Sequence, residues 1–327
     1  MRLSDCVCVT MKIIQITPAG RKSKSGNRTT ADRWTRILRD LGHDVETLTK
    51  YQGQSADMMV AIHAWRSADA IYDFKKKFSN RPIVLCLGGT DINQFIHTHP
   101  ETTLSSMELA DALVGLHERI GDIIPRRFRS KLHVIMQSAR PLRRSRDPST
   151  RYFEVCVIGN LRDVKDPMRA AIAVRKIPES SKLYVRHFGS AFDEQARNIA
   201  QIEMKANPRY RWFGEVPAWR IRQELSRAHA MVISSRAEGG ANVVSEAIVA
   251  NVPVIASDID GNIGLLGREY GGYYRREDEA SLRDVLLRVE NNPDFLEQLT
   301  KQVKTLAPKF SYQKELERWG NLIAELS

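Results

Sequence analysis

Short, almost wholly apolar runs alternate with stretches of helical periodicity along nearly the whole chain. That succession leaves few folds open, because strands that alternate with helices pack as parallel sheets covered by helices. KIIQIT (12–17), TADRWTRILRDLG (30–42), DVETLT (44–49) and DMMVAIHA (57–64) read as a β-α-β-β opening. A helix SADAIYDFKKKF (67–78), a buried strand PIVLCLGG (82–89) and short elements at 112–116 and 133–137 follow. An arginine-rich stretch, RPLRRSRDPSTR (140–151), interrupts the pattern, which then restarts with FEVCVIGNL (153–161). From there the sequence predicts a helix at 168–177, a strand at 182–189, a helix at 192–207, a strand at 210–214 and a helix at 216–228. Strand 230–235, helix 243–251, strand 252–257 and two helical stretches, 279–306 and 311–326, complete it. At ~150 residues per domain a chain of 327 residues holds two such domains. The sequence places them at 11–140 and 152–310, with a linker at 141–151 and an extension at 1–10.

The formal charge of +11 is spread over both halves instead of being concentrated on one helix or tail. This disfavours nucleic acid and fits small phosphorylated ligands. The one dense basic cluster, 140–151, is rich in Pro and Ser and reads as a solvated linker. No apolar run approaches the ~20 residues that cross a bilayer, so no membrane insertion is expected. The start MRLSDCVCVT lacks the apolar stretch of a secretory signal. Cys6, Cys8, Cys86 and Cys156 are too few and too scattered for a disulfide framework, which points to a reducing cytoplasm.

Two parallel domains predict a ligand cleft at the carboxyl ends of their strands, so the informative residues belong in the loops that follow strands. The first loop, PAGRKSKSGNRTT (18–30), offers Gly20 and Gly26 for a close turn and Lys22, Lys24 and Arg28 as cations. Ser25 and Asn27 lie beside the free N–H groups of the next helix. Its glycine spacing is neither a dinucleotide fingerprint nor a Walker loop, and a flexible basic loop is the plainer alternative. LGGTDIN brings Gly88, Gly89, Thr90 and Asp91 to a strand end, as a ligand edge or as turn chemistry. His63 and Arg66 follow the preceding strand. In SSRAEGGANVVSEAIVANVPVIAS (234–257), Glu238 and Glu246 flank a Gly239-Gly240-Ala241-Asn242 turn that opens a helix near Val243. Such a turn admits a ligand to the backbone and favours phosphate at the helix N-terminus. GNLRDVKDP (159–167) supplies Asn160, Arg162 and Lys165, cations suited to a pyrophosphate, with a loop salt bridge to Asp163 or Asp166 as the competing role. No His/Cys set has metal-ligand spacing, so no metal is expected.

These strings resemble GT-B glycosyltransferases of the family 4 type over most of residues 12–326. LGHDV (41–45) is close to that family's Gly-His-Glu-Val, Glu238 and Glu246 to its paired glutamates, Val252-Pro253-Val254 to its Pro-Val strand, and Lys165 to the lysine of its Gly-Arg-Leu-x3-Lys segment. The resemblance implies two Rossmann-like α/β domains facing a central cleft, with the terminal helix 311–327 packed back on the first. It also implies that Lys165 binds the donor diphosphate, Glu238 the sugar, Glu246 the ribose, and FGEVP (213–217), with Gly214 and Val216, the base. Two positions depart from the pattern. Asn160 stands where the family has arginine, so Arg162 must substitute, and Gly239 to Asn242 replaces Gly-Phe-Gly-Leu.

The departures, with LGGTDIN, IMQSA, PRYRWFGEVP and GNIGLLGREYGGYY, resemble the group of selenosugar synthases of selenoneine biosynthesis. That likeness implies transfer of N-acetylglucosamine from UDP-GlcNAc to the selenium of selenophosphate. A soft selenium nucleophile needs charge compensation and aim more than a general base. On this reading Glu238, Lys165, Arg28 and Asp91 are the catalytic residues. Gly20, Lys22, Ser25, Gly26, Asn27, Arg28, His63, Arg66, Thr90 and Asp91 would hold the acceptor. Two alternatives stand: a conventional family 4 enzyme with a lipid, glycan or small-molecule hydroxyl acceptor, and a binding protein without activity. The oligomeric state stays open.

Overall fold

The computed structural model describes residues 10–23 and 25–327. Residues 1–9, with Cys6, Cys8 and most of the expected extension, and Lys24 of the first loop lie outside the described residues. The chain divides into two compact units, one running to Gln137 and resuming at Gln313–Ser327, the other spanning Ser138–Tyr312.

In chain order the first unit contains β1 (Lys12–Ile16), α1 (Gly26–Asp40), β2 (Asp44–Leu48), β3 (Met58–Ile62), α2 (Ala68–Lys77) and β4 (Ile83–Cys86). After a π-turn at Asp91–Phe95 come α3 (Ile96–Thr98), α4 (Pro100–Leu109), β5 (Ala112–Gly115), α5 (Ile120–Ile123) and β6 (Leu132–Val134). The second unit holds β7 (Phe153–Ile158), α6 (Arg169–Val174), β8 (Leu183–Phe188), α7 (Glu194–Ala206), β9 (Tyr210–Trp212), α8 (Ala218–Arg227) and β10 (Ala230–Ile233). It continues with α9 (Asn242–Val249), β11 (Val254–Ser257), α10 (Asp260–Leu266), β12 (Tyr273–Tyr274), α11 (Glu279–Asn291) and α12 (Pro293–Leu306), after which α13 (Tyr312–Leu326) returns to the first unit.

Each unit is built on one six-stranded parallel sheet, ordered β2-β1-β3-β4-β5-β6 in the first and β12-β11-β10-β7-β8-β9 in the second. Helices cover both faces of the first, and the period of two along a strand assigns its residues to each. Met58, Val60 and Ile62 join one core with Trp34 and Leu38 of α1, whereas Met59 and Ala61 join the other with Phe74 of α2 and Met107 of α4. Helix α13 completes the first of these cores through Trp319, Leu322 and Ile323. Trp319 meets Trp34 edge-on at 4.8 Å, and Trp34 Nε1 donates to Glu315 Oε1 at 2.9 Å. The winding of each sheet reverses once, between β1 and β3 and between β7 and β10. Ligands of such sheets bind outside the carboxyl ends at that reversal.

Several expectations are corrected. Segment 138–151 is docked on the second unit instead of running free through solvent. Arg146 donates to the carbonyls of Ala228 and Asn251, which follow α8 and α9, at 2.5 and 2.8 Å, taking up helix-end carbonyls that lack partners. Asp147 and Ser149 bond the backbone of Ser226 and Arg227. Helix α1 starts at Gly26, not Thr30, because Ser25 caps it by accepting from Arg28 N–H. The stretch 279–306 breaks into α11 and α12 at Asn292, whose side chain caps α12 ahead of Pro293. Helix α4 has almost no apolar stripe, and α10 (DGNIGLL) carries two glycines, so periodicity announces neither.

Candidate functional site

At the reversal of the second sheet, the loops after β7 and β10 are stitched together. Ser234 Oγ donates to the carbonyls of Lys165 and Asp166 at 3.0 and 2.8 Å. Arg236 pairs with Asp163 at 2.5 Å and Glu277 at 2.7 Å, while its N–H donates to Val164 O at 2.9 Å. The loop salt bridge therefore exists, but its cation is Arg236 and not Arg162 or Lys165. Asp166 completes the turn in the left-handed region at φ 43° and bonds Arg169.

This stitching brings Lys165 and Glu238 together: Lys165 Nζ lies 2.5 Å from Glu238 Oε1, and Ser235 Oγ donates to the same oxygen at 2.5 Å. Glu238 is 9% exposed and Lys165 about one-third exposed, so a buried carboxylate faces a cation that reaches solvent. A cavity of about 20 Å³ adjoins the pair, lined by Gly159, Asn160, Lys165, His187, Ser235 and Glu238 among others. Helix α9 starts at Asn242 after Gly240, whose φ of 128° suits glycine. Gly239 and Ala241 complete that turn, Val243 lines the cavity, and Glu246 lies one turn into the helix, half-buried.

Two glycines set how closely the loops approach. A Cβ on Gly261 of α10 would stand 2.6 Å from Glu238 O, and one on Gly189 would stand 2.1 Å from Gly159 O. The Asn160 side chain accepts from Ser190 N–H at 3.0 Å, tying the β7 and β8 loops. Arg162 is exposed, with its guanidinium over the Phe192 ring at 5.7 Å. Phe213 stacks on Phe188 at 5.0 Å, and Gly214 beside it, at φ 71°, accepts from Gly189 N–H at 2.9 Å. Val216 is half-buried just before α8. Ser235, Arg236, Gly189 and Gly261 were not among the expected site residues. Serine and glycine in strand-end loops carry no periodic signal, and Arg236 stands two residues before the first of the paired glutamates.

His187 supports the same edge from below. Buried and flanked by Gly159 O at 2.9 Å from Nε2 and by Tyr210 Oη at 3.0 Å from Nδ1, it donates to the first and accepts from the second. Burial lowers its pKa from 6.5 to about 4. The unfolded chain thus takes up this proton near pH 6.5, the folded one not until about 4. Its contribution is intact above 6.5 and is lost as pH falls toward 4, by up to ~3 kcal/mol. Denaturant titrations from pH 7 to 4 should show this slope in the wild type and a shallower one in His187→Asn. Equal slopes would refute it.

In the first unit, the π-turn after β4 and the end of β3 converge. His63 and Asp91 are each 1% exposed, with His63 Nδ1 2.7 Å from Asp91 Oδ1 and His63 Nε2 2.7 Å from Thr90 Oγ1. Asp91 also accepts from the N–H groups of Ala64, Trp65 and Gly88 at 2.9, 3.1 and 2.7 Å. Asp91 is therefore enclosed, and the expectation of an open catalytic carboxylate there is corrected. Thr90, Gly88 and Gly89 are half-exposed and Arg66 is exposed. After β1, Arg28 bonds Asp32 at 2.5 Å from within the first turn of α1, so its charge is partly met inside the helix. Gly20, Lys22, Ser25 and Gly26 are exposed, and Asn27 is half-buried.

Asp258-Ile259-Asp260 is an Asp-x-Asp triplet that the metal-free expectation passes over. Its Asp258 accepts from Arg276 N–H at 2.8 Å while Asp260 opens α10. Among the described residues no three His, Cys, Asp or Glu side chains are grouped to hold a metal ion. A larger depression of about 670 Å³, between residues 266–270 and α12, contains none of the expected site residues. No helix of the described residues is long and apolar enough to cross a membrane.

The chain is 25% identical over 296 residues to glycosyltransferase 1 domain-containing protein 1 of Xenopus tropicalis, covering 80% of this chain and 83% of that one. Its fold is similar to the sucrose-phosphate synthase of Thermosynechococcus elongatus, with a TM-score of 0.75 at 15% identity over 96% of this chain and 98% of that one. It is equally similar to HepE of Anabaena, solved in complex with UDP, with a TM-score of 0.75 at 15% identity over 96% and 100%. The two sheets with their flanking helices are thus of the GT-B type. Residues 139–306, just over half of the chain and most of the second unit, match the family model of glycosyl transferases group 1, and the chain belongs to that family of glycosyltransferases.

Proposed function

We propose that this glycosyltransferase takes N-acetylglucosamine from UDP-GlcNAc and transfers it to the selenium of selenophosphate. The observation that carries the donor half is the Lys165–Glu238–Ser235 cluster at the reversal of the second sheet, beside the start of α9. There Lys165 leaves Glu238 for the donor diphosphate, Arg162 adds a second cation, and Glu238 is freed to accept from sugar hydroxyls. Glu246 takes the ribose, and the Gly214–Val216 segment takes the base. HepE, which shares the fold, was solved with UDP and with UDP-glucose, which supports a uridine donor. We assign neutralisation of the departing diphosphate to these cations and to no metal.

The acceptor half rests on the first-unit edge. Lys22 and Arg28 flank the start of α1, a 15-residue helix whose first N–H groups favour an anion, and Arg66 follows β3, the strand that neighbours β1. Selenophosphate is small, anionic and already nucleophilic, so compensation of its charge is the first thing it asks of the site. The sequence strings LGGTDIN and SSRAEGGANVVSEAI support the same narrow reading.

Release of UDP from UDP-GlcNAc should rise on adding selenophosphate. Arg28→Ala should raise the selenophosphate KM with little change in UDP affinity. UDP release that responds only to an alcohol acceptor would overturn the selenium reading and leave the glycosyltransferase.

A further inference from the structure

We propose that Thr90, His63 and Asp91 form a proton relay in which Thr90 Oγ1 receives the acceptor's proton and passes its own to His63. The inference rests on the acceptor being held at the first-unit edge, as argued above. Asp91 has three backbone N–H groups directed at its two oxygens, which fixes it as an acceptor only. The contact of 2.7 Å to His63 therefore carries a proton on Nδ1. The Arg66 N–H also approaches that nitrogen, but at 3.4 Å it is much the weaker contact beside 2.7 Å to Asp91 Oδ1. In the tautomer with its proton on Nδ1, His63 presents a lone pair on Nε2, and the Thr90 hydroxyl is then the donor across 2.7 Å. Nucleophile-side hydroxyl, imidazole and orienting carboxylate are thus in series, the geometry that moves a proton in hydrolytic triads.

Access is graded along the series. His63 and Asp91 are each 1% exposed while Thr90 is half-exposed, so a ligand can reach only the hydroxyl. Because that hydroxyl has committed its hydrogen to His63, its free lone pairs ask for a protonated partner. Two further features belong to this arrangement. His63 sits at φ 81°, a left-handed value uncommon for a residue with a side chain, directly after β3. A Cβ on Gly88 would stand 3.2 Å from Asp91 Oδ2 and 3.3 Å from His63 Cδ2, so glycine keeps the pair in place. Cys86 adds no charge, since burial and the nearby Asp91 push its thiol up.

In the transfer, the acceptor's bond to carbon forms as the anomeric carbon–oxygen bond breaks, its electron pair leaving on the diphosphate. For the hydrogen selenophosphate dianion, the remaining acidic proton goes to Thr90 Oγ1, and the Thr90 proton goes to His63 Nε2. The imidazolium is balanced by Asp91 and returns its proton through the Thr90 hydroxyl to solvent after turnover, His63 itself being buried. Thr90 is the group that touches the acceptor; His63 and Asp91 act through it.

Two measurements on the full chain test this. Nitrogen NMR of histidine-labelled protein at neutral pH should find His63 protonated on Nδ1 and bare on Nε2, assigned by loss of the signal in His63→Gln. The opposite tautomer would overturn the relay whichever acceptor is used. With UDP-GlcNAc and selenophosphate, Thr90→Val should lower kcat by about 10²-fold, while Thr90→Ser should recover all but roughly a few-fold, with UDP affinity unchanged in both. Wild-type kcat in Thr90→Val, or a serine variant as slow as the valine one, would refute it. If the wild type ignores selenophosphate, the acceptor assignment above fails, and the tautomer alone decides the relay.

Discussion

Lys165→Ala is expected to lower turnover by about 10²- to 10³-fold, a loss of ~2–4 kcal/mol of transition-state stabilisation, and to weaken UDP binding as well. The cation does two things in succession. Without a donor it neutralises Glu238, a 9% exposed carboxylate whose other named partner is the Ser235 hydroxyl. With a donor it meets the diphosphate, whose charge grows as the glycosidic bond breaks. Truncation removes the second interaction and leaves the Glu238 charge without its close cation, so the effect exceeds that of an exposed ion pair. Glu238→Ala separates the roles: it releases Lys165, so UDP binding should hold or tighten while turnover falls. Turnover and UDP affinity both at wild-type values in Lys165→Ala would remove the donor assignment. The readout is steady-state UDP release with UDP affinity measured alongside by calorimetry.

The strands were legible because parallel strands covered on both faces leave continuous apolar runs. MMVAI (58–62) reads as a strand whichever face each residue serves. The loops were legible in position only. That Lys165 and Glu238 sit at strand ends follows from the pattern; that they touch across 73 residues of sequence does not. Asp91 reads as a turn residue or as a ligand edge, and only the three N–H groups that enclose it decide that it is buried. Arg28 reads as a loop cation because the apolar helical period starts at Thr30, whereas the Ser25 cap draws Gly26 to Thr29 into α1 and puts Asp32 one turn below Arg28. Segment 140–151 has the composition of a linker, and its docking depends on carbonyls at the ends of α8 and α9 that no local pattern announces.

The close approach of α10 to the β10 loop gives the second large effect, Gly261→Ala. The added Cβ would stand 2.6 Å from the Glu238 carbonyl oxygen, 2.8 Å from its Cβ and 2.9 Å from its carbonyl carbon. Two of these three are backbone atoms, which cannot rotate away, so either α10 or the Glu238 segment must move. The Glu238 segment lies in a loop whereas Gly261 is in the first turn of a helix with buried Leu265 and Leu266, so the loop yields. A displacement near 1 Å carries Glu238 off the sugar and away from Ser235, which should cost about 10²-fold in turnover. Overpacking should also lower stability by ~1–3 kcal/mol. Gly121→Ala is the matched control, because its Cβ would meet only Leu132 Cδ2 at an ordinary 3.5 Å. It adds the same methyl group to a helical glycine of the first unit and should leave turnover unchanged. The diagnostic result is a Gly261→Ala protein that still melts cooperatively yet has lost most of its turnover. Wild-type turnover and Tm in that variant would mean that the contact between α10 and Glu238 does not position the carboxylate.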